Sequence, residues 1–296
     1  MNHIKHLWDG LNRGYRAAVE MEVVDLTSRL TLLALLFNPV DDQTVRPFGL
    51  SLAGIGLVFS PAARRPALWF FLTLVTGWRV VADWPLADNH AYLLCYWCFA
   101  LFCSLIVRDV RASLAMNGRL LIGLVFTFAT LWKAVLSPDY LNGTFFRMFL
   151  LIDERFADLS RLVGGLSAEQ LEANRRLVED RFHNVFGPEN LTLIVPAALT
   201  TFAQIATWWT VTIEAAVALC FLWPRKDGIY RQRHVPLLLF CATTFAVAPV
   251  AGFGWLLLLM GIAQCEPERT TVRALYLAIF FLILFYQEFS WTLVLG

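Results

Sequence analysis

An all-α, polytopic membrane bundle is the fold class this sequence predicts, and three observations carry that prediction. Of its 296 residues 58% are hydrophobic and only 16% charged, with a mean hydropathy of +0.60. Apolar runs long enough to cross a hydrocarbon core recur about eight times along the chain. Eleven Trp and 24 Phe suit a lipid-facing surface with aromatic residues at its interfaces. The formal net charge of +1 leaves no basic face for nucleic acid. No secretory leader is legible, because the first 22 residues are polar and no small-residue cleavage site follows a short apolar core.

Taken in order, the expected membrane segments are 24–38, 47–60, 66–82, 90–107, 119–136, 197–223, 235–264 and 273–294, all within one domain spanning 1–296. The second is short for a span, which implies an unusual tilt or a re-entrant path. The seventh is interrupted by Pro249, Gly252 and Gly254. A single kinked span is the simpler reading of that interruption, and two half-helices folded back as a hairpin is the other.

Loop charge supplies an orientation. With a cytoplasmic N-terminus, the inner pieces hold Lys5, Arg13, Arg16, Arg64, Arg65, Arg108, Arg111, Arg119, Arg225, Lys226, Arg231 and Arg233. The two short outer loops hold only Arg46. That asymmetry is the positive-inside pattern, and in an arginine-rich chain that reads as bacterial it implies the inner membrane. Beyond the seventh segment the pattern fails, since Arg269 and Arg273 sit beside Glu266 and Glu268. The side of the C-terminus is therefore open.

Residues 137–190 form the one sizeable non-membrane piece and fall on the outside. They carry nine Asp and Glu against six Arg. Their one helix signal is the capping box Ser167-Ala-Glu-Gln170, followed by an apolar stripe at Leu171, Leu177, Val178 and Phe182. Such an insertion serves either as a lid over an outward-facing cavity or as a packing connector.

The chemistry-bearing residues are few. Lys133 is one of only three lysines beside 21 arginines, and it lies near the end of an apolar run. A charged amine at the centre of a membrane helix costs about 2.5–3.5 kcal/mol on insertion scales, so it calls for a reason. The amine is either a titratable base, which arginine cannot be, or an anchor reaching for headgroups. His90 starts the preceding segment on the same side and is expected at the same depth as Lys133, where it would orient the amine or pass on its proton. The alternative for His90 is an interfacial helix cap. Glu214 falls near mid-bilayer, where it serves a proton path or bonds two helices together. Cys95 and Cys98 stand one helical turn apart, the spacing of a thiol–quinone oxidoreductase and equally of two inert core cysteines. No zinc-type cluster, phosphate loop or Ser-His-Asp arrangement is legible, and no metal is expected.

Two segments then resemble a known family. Asp83 with Asp88-Asn-His-Ala-Tyr-Leu93 is similar to the Asn-His-Ser-Tyr-Leu stretch of vitamin K-dependent gamma-carboxylase. Trp132-Lys-Ala-Val-Leu-Ser-Pro-Asp-Tyr-Leu-Asn-Gly143 looks like that family's stretch running from lysine through Asp-Trp to glycine. A helix with Glu214 and a segment led by His234 follow in the same order. The resemblance is to the wider HTTM group of membrane domains and covers roughly residues 45–290. It implies a reduced quinone of the vitamin K or menaquinol type as cofactor, with Lys133 as the base and His90 assisting. It also implies Asn89, Tyr92, Trp132, Asp139 and Glu214 around the quinone, conversion of the quinol to its epoxide, and a peptide or protein partner on the extracytoplasmic side. The chain departs from the carboxylase in having Trp132 and Ala134 beside a lone lysine where that enzyme has a pair. It is expected to be a small member without the large extracytoplasmic domain.

Three functions follow. They are quinol-dependent chemistry through Lys133, thiol–quinone exchange through Cys95 and Cys98, and a non-enzymatic scaffold, transport or peptide-maturation component. The first expects Lys133 and His90 on one apolar pocket, and the second a disulfide or an accessible thiol. The third expects Lys133 among headgroups or paired with a carboxylate such as Asp139.

Overall fold

The structure is a computed structural model that describes residues 13–40, 42–183, 192–224, 228–247, 250–266 and 268–288. Among these residues the chain is helical, with no strand. Five helices precede the insertion or lead into it: α1 (Val23–Phe37), α2 (Arg46–Val58), α3 (Pro66–Ala82), α4 (Asn89–Leu105) and α5 (Val110–Leu131). The insertion carries α6 (Thr144–Ile152), α7 (Ala157–Gly164) and α8 (Ala168–His183). The chain then returns through α9 (Ala197–Leu222), α10 (His234–Val247), α11 (Ala251–Ile262) and α12 (Thr270–Glu288).

Local sequence sets these boundaries. Glu22 caps α1 by accepting from the backbone N–H groups of Val24 and Asp25 at 3.0 and 3.1 Å. Pro47 and Pro66 sit in the first turns of α2 and α3, where a missing N–H costs nothing. Asp109 caps α5 through the Ala112 N–H at 2.9 Å, so this helix begins well before the apolar run expected at 119–136. Its last turn widens into a π-turn, Trp132–Leu136, and Pro138 prevents the helix from continuing. Among the described residues two helices are long and apolar enough to cross a membrane: Val110–Leu136, which includes the π-turn, and Ala197–Leu222. Six shorter apolar helices accompany them.

The bundle has two ends. At the first, where residues 13–22 lie, Arg64 pairs with Asp25 and Arg273 donates to the carbonyls of Val19 and Met21. At the second, Trp78 donates to Asp42 and Asn38 lies against Gly252. α5 and α9 run antiparallel and share one of the broadest contacts in the fold. Arg119 fixes their register at the first end by donating to the carbonyls of Phe221, Leu222 and Trp223. Gln204 fixes it at the other by donating to the Leu141 carbonyl.

The seventh expected segment is two helices rather than one kinked span. Arg233, just before α10, donates to the carbonyl of Gln264, just after α11, at 3.1 Å. At the other end of the pair the rings of Phe245 and Phe253 lie 6.5 Å apart. α10 and α11 are therefore an antiparallel hairpin; Pro249 itself lies outside the described residues. α11 is the innermost helix, with every residue from Gly254 to Ala263 buried. The hairpin explains why the charge pattern fails where it does. It returns the chain to the first end, so Arg269 and Arg273 join the other basic residues there: Arg269 donates to the Arg231 carbonyl at 3.2 Å.

The insertion holds more helix than its one capping box announces. That box is present, with the Ser167 N–H donating to the Gln170 side chain at 2.9 Å and the Gln170 N–H to the Ser167 hydroxyl at 3.3 Å. α6 and α7 precede it because Leu150, Leu151 and Phe156 bury themselves with Leu166 and Leu171 against Leu199 and Ala203 of α9. Of the expected stripe, Leu171 is buried, Val178 half-buried and Leu177 exposed.

Candidate functional site

Lys133 lies in the π-turn that ends α5, and Glu214 lies on the facing side of α9. The Lys133 ammonium donates to Glu214 Oε1 and stands 5.3 Å from the centre of the Tyr140 ring. Side chains on a helix lean toward its N-terminus, which lets Lys133 reach back along α5 toward the deeper Glu214. Glu214 and Tyr140 are each 4% exposed. Glu214 Oε2 is buried with no hydrogen-bond partner among the described residues. Tyr140 closes the site from the short helix Pro138–Leu141. Burial and the neighbouring Glu214 carboxylate both push its phenol above the ordinary value, so its hydroxyl keeps its proton.

Beside this pair, toward the first end, the α5–α9 seam opens into a groove of about 400 Å³. Thr127, Thr130 and Leu131 form one wall and Ala215, Ala218 and Leu219 the other. Its volume falls within the roughly 300–1,000 Å³ range of small-molecule sites. The Thr130 hydroxyl, like Glu214 Oε2, has no partner. A buried carboxylate with one oxygen held by an ammonium and the other free can accept and hold a proton at the free oxygen.

No protein-family model, curated protein or solved structure matches this chain.

The other residues singled out in the sequence fall elsewhere. Of the two carboxylates near Lys133, Glu214 is the partner, while Asp139 and Trp132 are exposed. His90 is in the first turn of α4, 3.7 Å from Asp88 and with its ring 6.0 Å from that of Phe253. It lines a cavity of about 30 Å³ with Asn38, Arg79 and Gly252, room for a single water molecule. Lys133 pairs with Glu214 and Tyr140, and His90 with Asp88 and Phe253. Asn89 is exposed and Tyr92 half-buried on the same helix. Cys95 and Cys98 are both free thiols. Cys98 is fully buried, and Cys95 makes a weak 3.8 Å bond to the Thr73 carbonyl. Among the described residues no group of three or more His, Cys, Asp or Glu is placed to hold a metal.

Sequence reasoning missed Tyr140 and Thr130. Tyr140 follows a proline in a four-residue helix, where no periodicity marks a buried face. Thr130 looks like any small polar residue in an apolar run until α9 covers it.

Proposed function

We propose that this chain is a polytopic protein of the bacterial inner membrane whose α5–α9 seam is a proton-transfer site for a reduced quinone. Eight apolar helices among the described residues, two of them of spanning length, support the membrane placement. So does a surface rich in exposed Phe, Trp and Leu, including Phe70, Phe71, Phe128, Trp208 and Phe285. Basic residues gathered at the first end put that end in the cytoplasm by the positive-inside rule, and the insertion on the far side. The hairpin of α10 and α11 brings the end of α12 to the far side as well.

The observation that carries the site is Glu214 Oε2, a buried acceptor with no partner among the described residues, next in the chain to Ala215, which lines a groove of about 400 Å³. A reduced quinone supplies two weakly acidic hydroxyls. In this reading Glu214 Oε2 takes the proton while Lys133 holds Oε1. Thr130 offers a hydroxyl in the groove wall, and Ala215 and Ala218 leave the space open. This shares the base role that the resemblance gives to Lys133 alone. It leaves His90 outside the reacting group. The carboxylase-type family assignment belongs to the same proposal.

The test is epoxide formation from menaquinol and oxygen by purified protein, read by mass spectrometry. Wild type is expected to form product, with Glu214→Gln and Lys133→Ala at least tenfold slower. Folded wild-type protein that neither binds menaquinol nor forms epoxide would remove the quinone from the proposal. A second reading, a lock between α5 and α9, is favoured by the way Glu214 and Tyr140 already satisfy the Lys133 amine. It expects the same variants to lose stability with no quinone bound by any of them.

A further inference from the structure

At the first end, the start of α5 and the segments just before α10 and just after α11 line a second pocket of about 280 Å³, with Arg111, Tyr230, Arg233 and Gln264 among its residues. Arg233 is 3% exposed. Its guanidinium donates to the carbonyls of Tyr230 and Gln264, both at 3.1 Å, and lies 4.0 Å from the centre of the Tyr230 ring. Its Nε has no partner among the described residues. Arg111 donates to the Cys265 carbonyl at 3.2 Å. Neither arginine is ion-paired among the described residues. The two carboxylates on the pocket are already engaged: Asp109 accepts from the Ala112 N–H at 2.9 Å, and Glu266 pairs with Arg269 at 3.2 Å.

Carbonyl dipoles alone do not compensate a buried guanidinium. An oxyanion does, through charge-assisted hydrogen bonds from a planar donor fork. Gln264 adds a second requirement. Its amide N–H donates to the Met260 carbonyl at 3.0 Å, which leaves Oε1, an acceptor, buried without a partner. The complementary group is a hydroxyl close to the oxyanion. We propose that this pocket binds a phosphate ester carrying a neighbouring hydroxyl, the chemistry of a phosphoglycerol lipid headgroup or of free glycerol phosphate. The volume holds a headgroup and not a whole lipid, and the basic end of a helical bundle is where anionic headgroups dock. The pocket lies at the opposite end of α5 from Lys133 and does not depend on the quinone reading.

The experiment uses the full chain purified in detergent, titrated with phosphatidylglycerol, phosphatidylcholine and glycerol phosphate, and read by native mass spectrometry. Phosphatidylglycerol is expected to bind at least tenfold more tightly than phosphatidylcholine. Glycerol phosphate binding as tightly as the lipid identifies a soluble source, and binding far more weakly identifies the lipid. Arg111→Gln is expected to weaken the preferred ligand about tenfold or more, the loss of one charge-assisted bond. Gln264→Leu, which removes the unpartnered acceptor, is expected to weaken it several-fold and carries the test if Arg111→Gln does not fold. Equal binding of the two lipids with no binding of glycerol phosphate overturns the proposal. So does an affinity for phosphatidylglycerol that neither substitution changes.

Discussion

Replacing Glu214 by glutamine removes one charge from the Lys133–Glu214 pair while keeping the volume and shape of the side chain. The two side chains are 19% and 6% exposed, so the amine keeps limited access to solvent and the carboxylate almost none. Removing one partner of a buried pair costs about 3–5 kcal/mol, because the other charge stays buried alone. The Tyr140 ring, 5.3 Å from the amine, retains roughly 1 kcal/mol of attraction for it. With the partial exposure of Lys133, these figures place Glu214→Gln at about 3 kcal/mol. The double variant Lys133→Met/Glu214→Leu removes both charges and is expected within about 1 kcal/mol of wild type, since apolar replacements of buried pairs are often neutral. Reversible unfolding of the purified protein in lipid–detergent bicelles, followed by circular dichroism, measures Glu214→Gln and, with the singles Lys133→Met and Glu214→Leu, all four corners of the cycle. A cost for Glu214→Gln below about 0.5 kcal/mol, or a double variant equal to the sum of the singles, would refute a coupled buried pair.

Gly118→Ala tests the seat of the central helix. A Cβ there would meet the Met260 carbonyl oxygen at 3.0 Å, a backbone atom that cannot step aside, and about 1–3 kcal/mol of destabilisation is expected from the thermal midpoint. Non-reducing peptide mapping is expected to find Cys95 and Cys98 as free thiols, with Cys98 unreactive to maleimide until the protein unfolds. A Cys95–Cys98 disulfide in native protein would restore the thiol-exchange function. Arg155 grips both oxygens of Asp153 at 2.6–3.1 Å and holds its carboxyl below the ordinary value. A lowered carboxyl stabilises the fold above its unfolded-state value and loses that contribution as pH falls through the folded one. The protection factors of amides at the α6–α7 junction, which correct for the intrinsic pH dependence of exchange, are therefore expected to fall as pH drops below about 4 and to stay level on raising it.

The all-helical class and most helix boundaries were legible in the chain, because each depends on short-range signals. Pro66 opens α3 at the expected residue, and the Ser167–Gln170 box starts α8 where its spacing says. The apolar run of α9 matches its expected segment within a residue. That Lys133 would need a partner was legible too, since a lone amine in an apolar run is costly wherever it lies. What the sequence left open were choices between partners distant in the chain. Asp139 was the carboxylate named for Lys133, and only the antiparallel register of α5 and α9 brings it Glu214 instead, 81 residues away. His90 was expected beside Lys133 from the depth of neighbouring helices. Depth says nothing of azimuth, and packing turned His90 toward α11 instead. The break in the seventh segment allowed a kink or a hairpin. Burial of α11 on all sides decides for the hairpin, and with it the end of the bundle at which Arg269 and Arg273 lie. Local composition determines which segments become helices; the direction each face points is settled only when all the helices compete for one core.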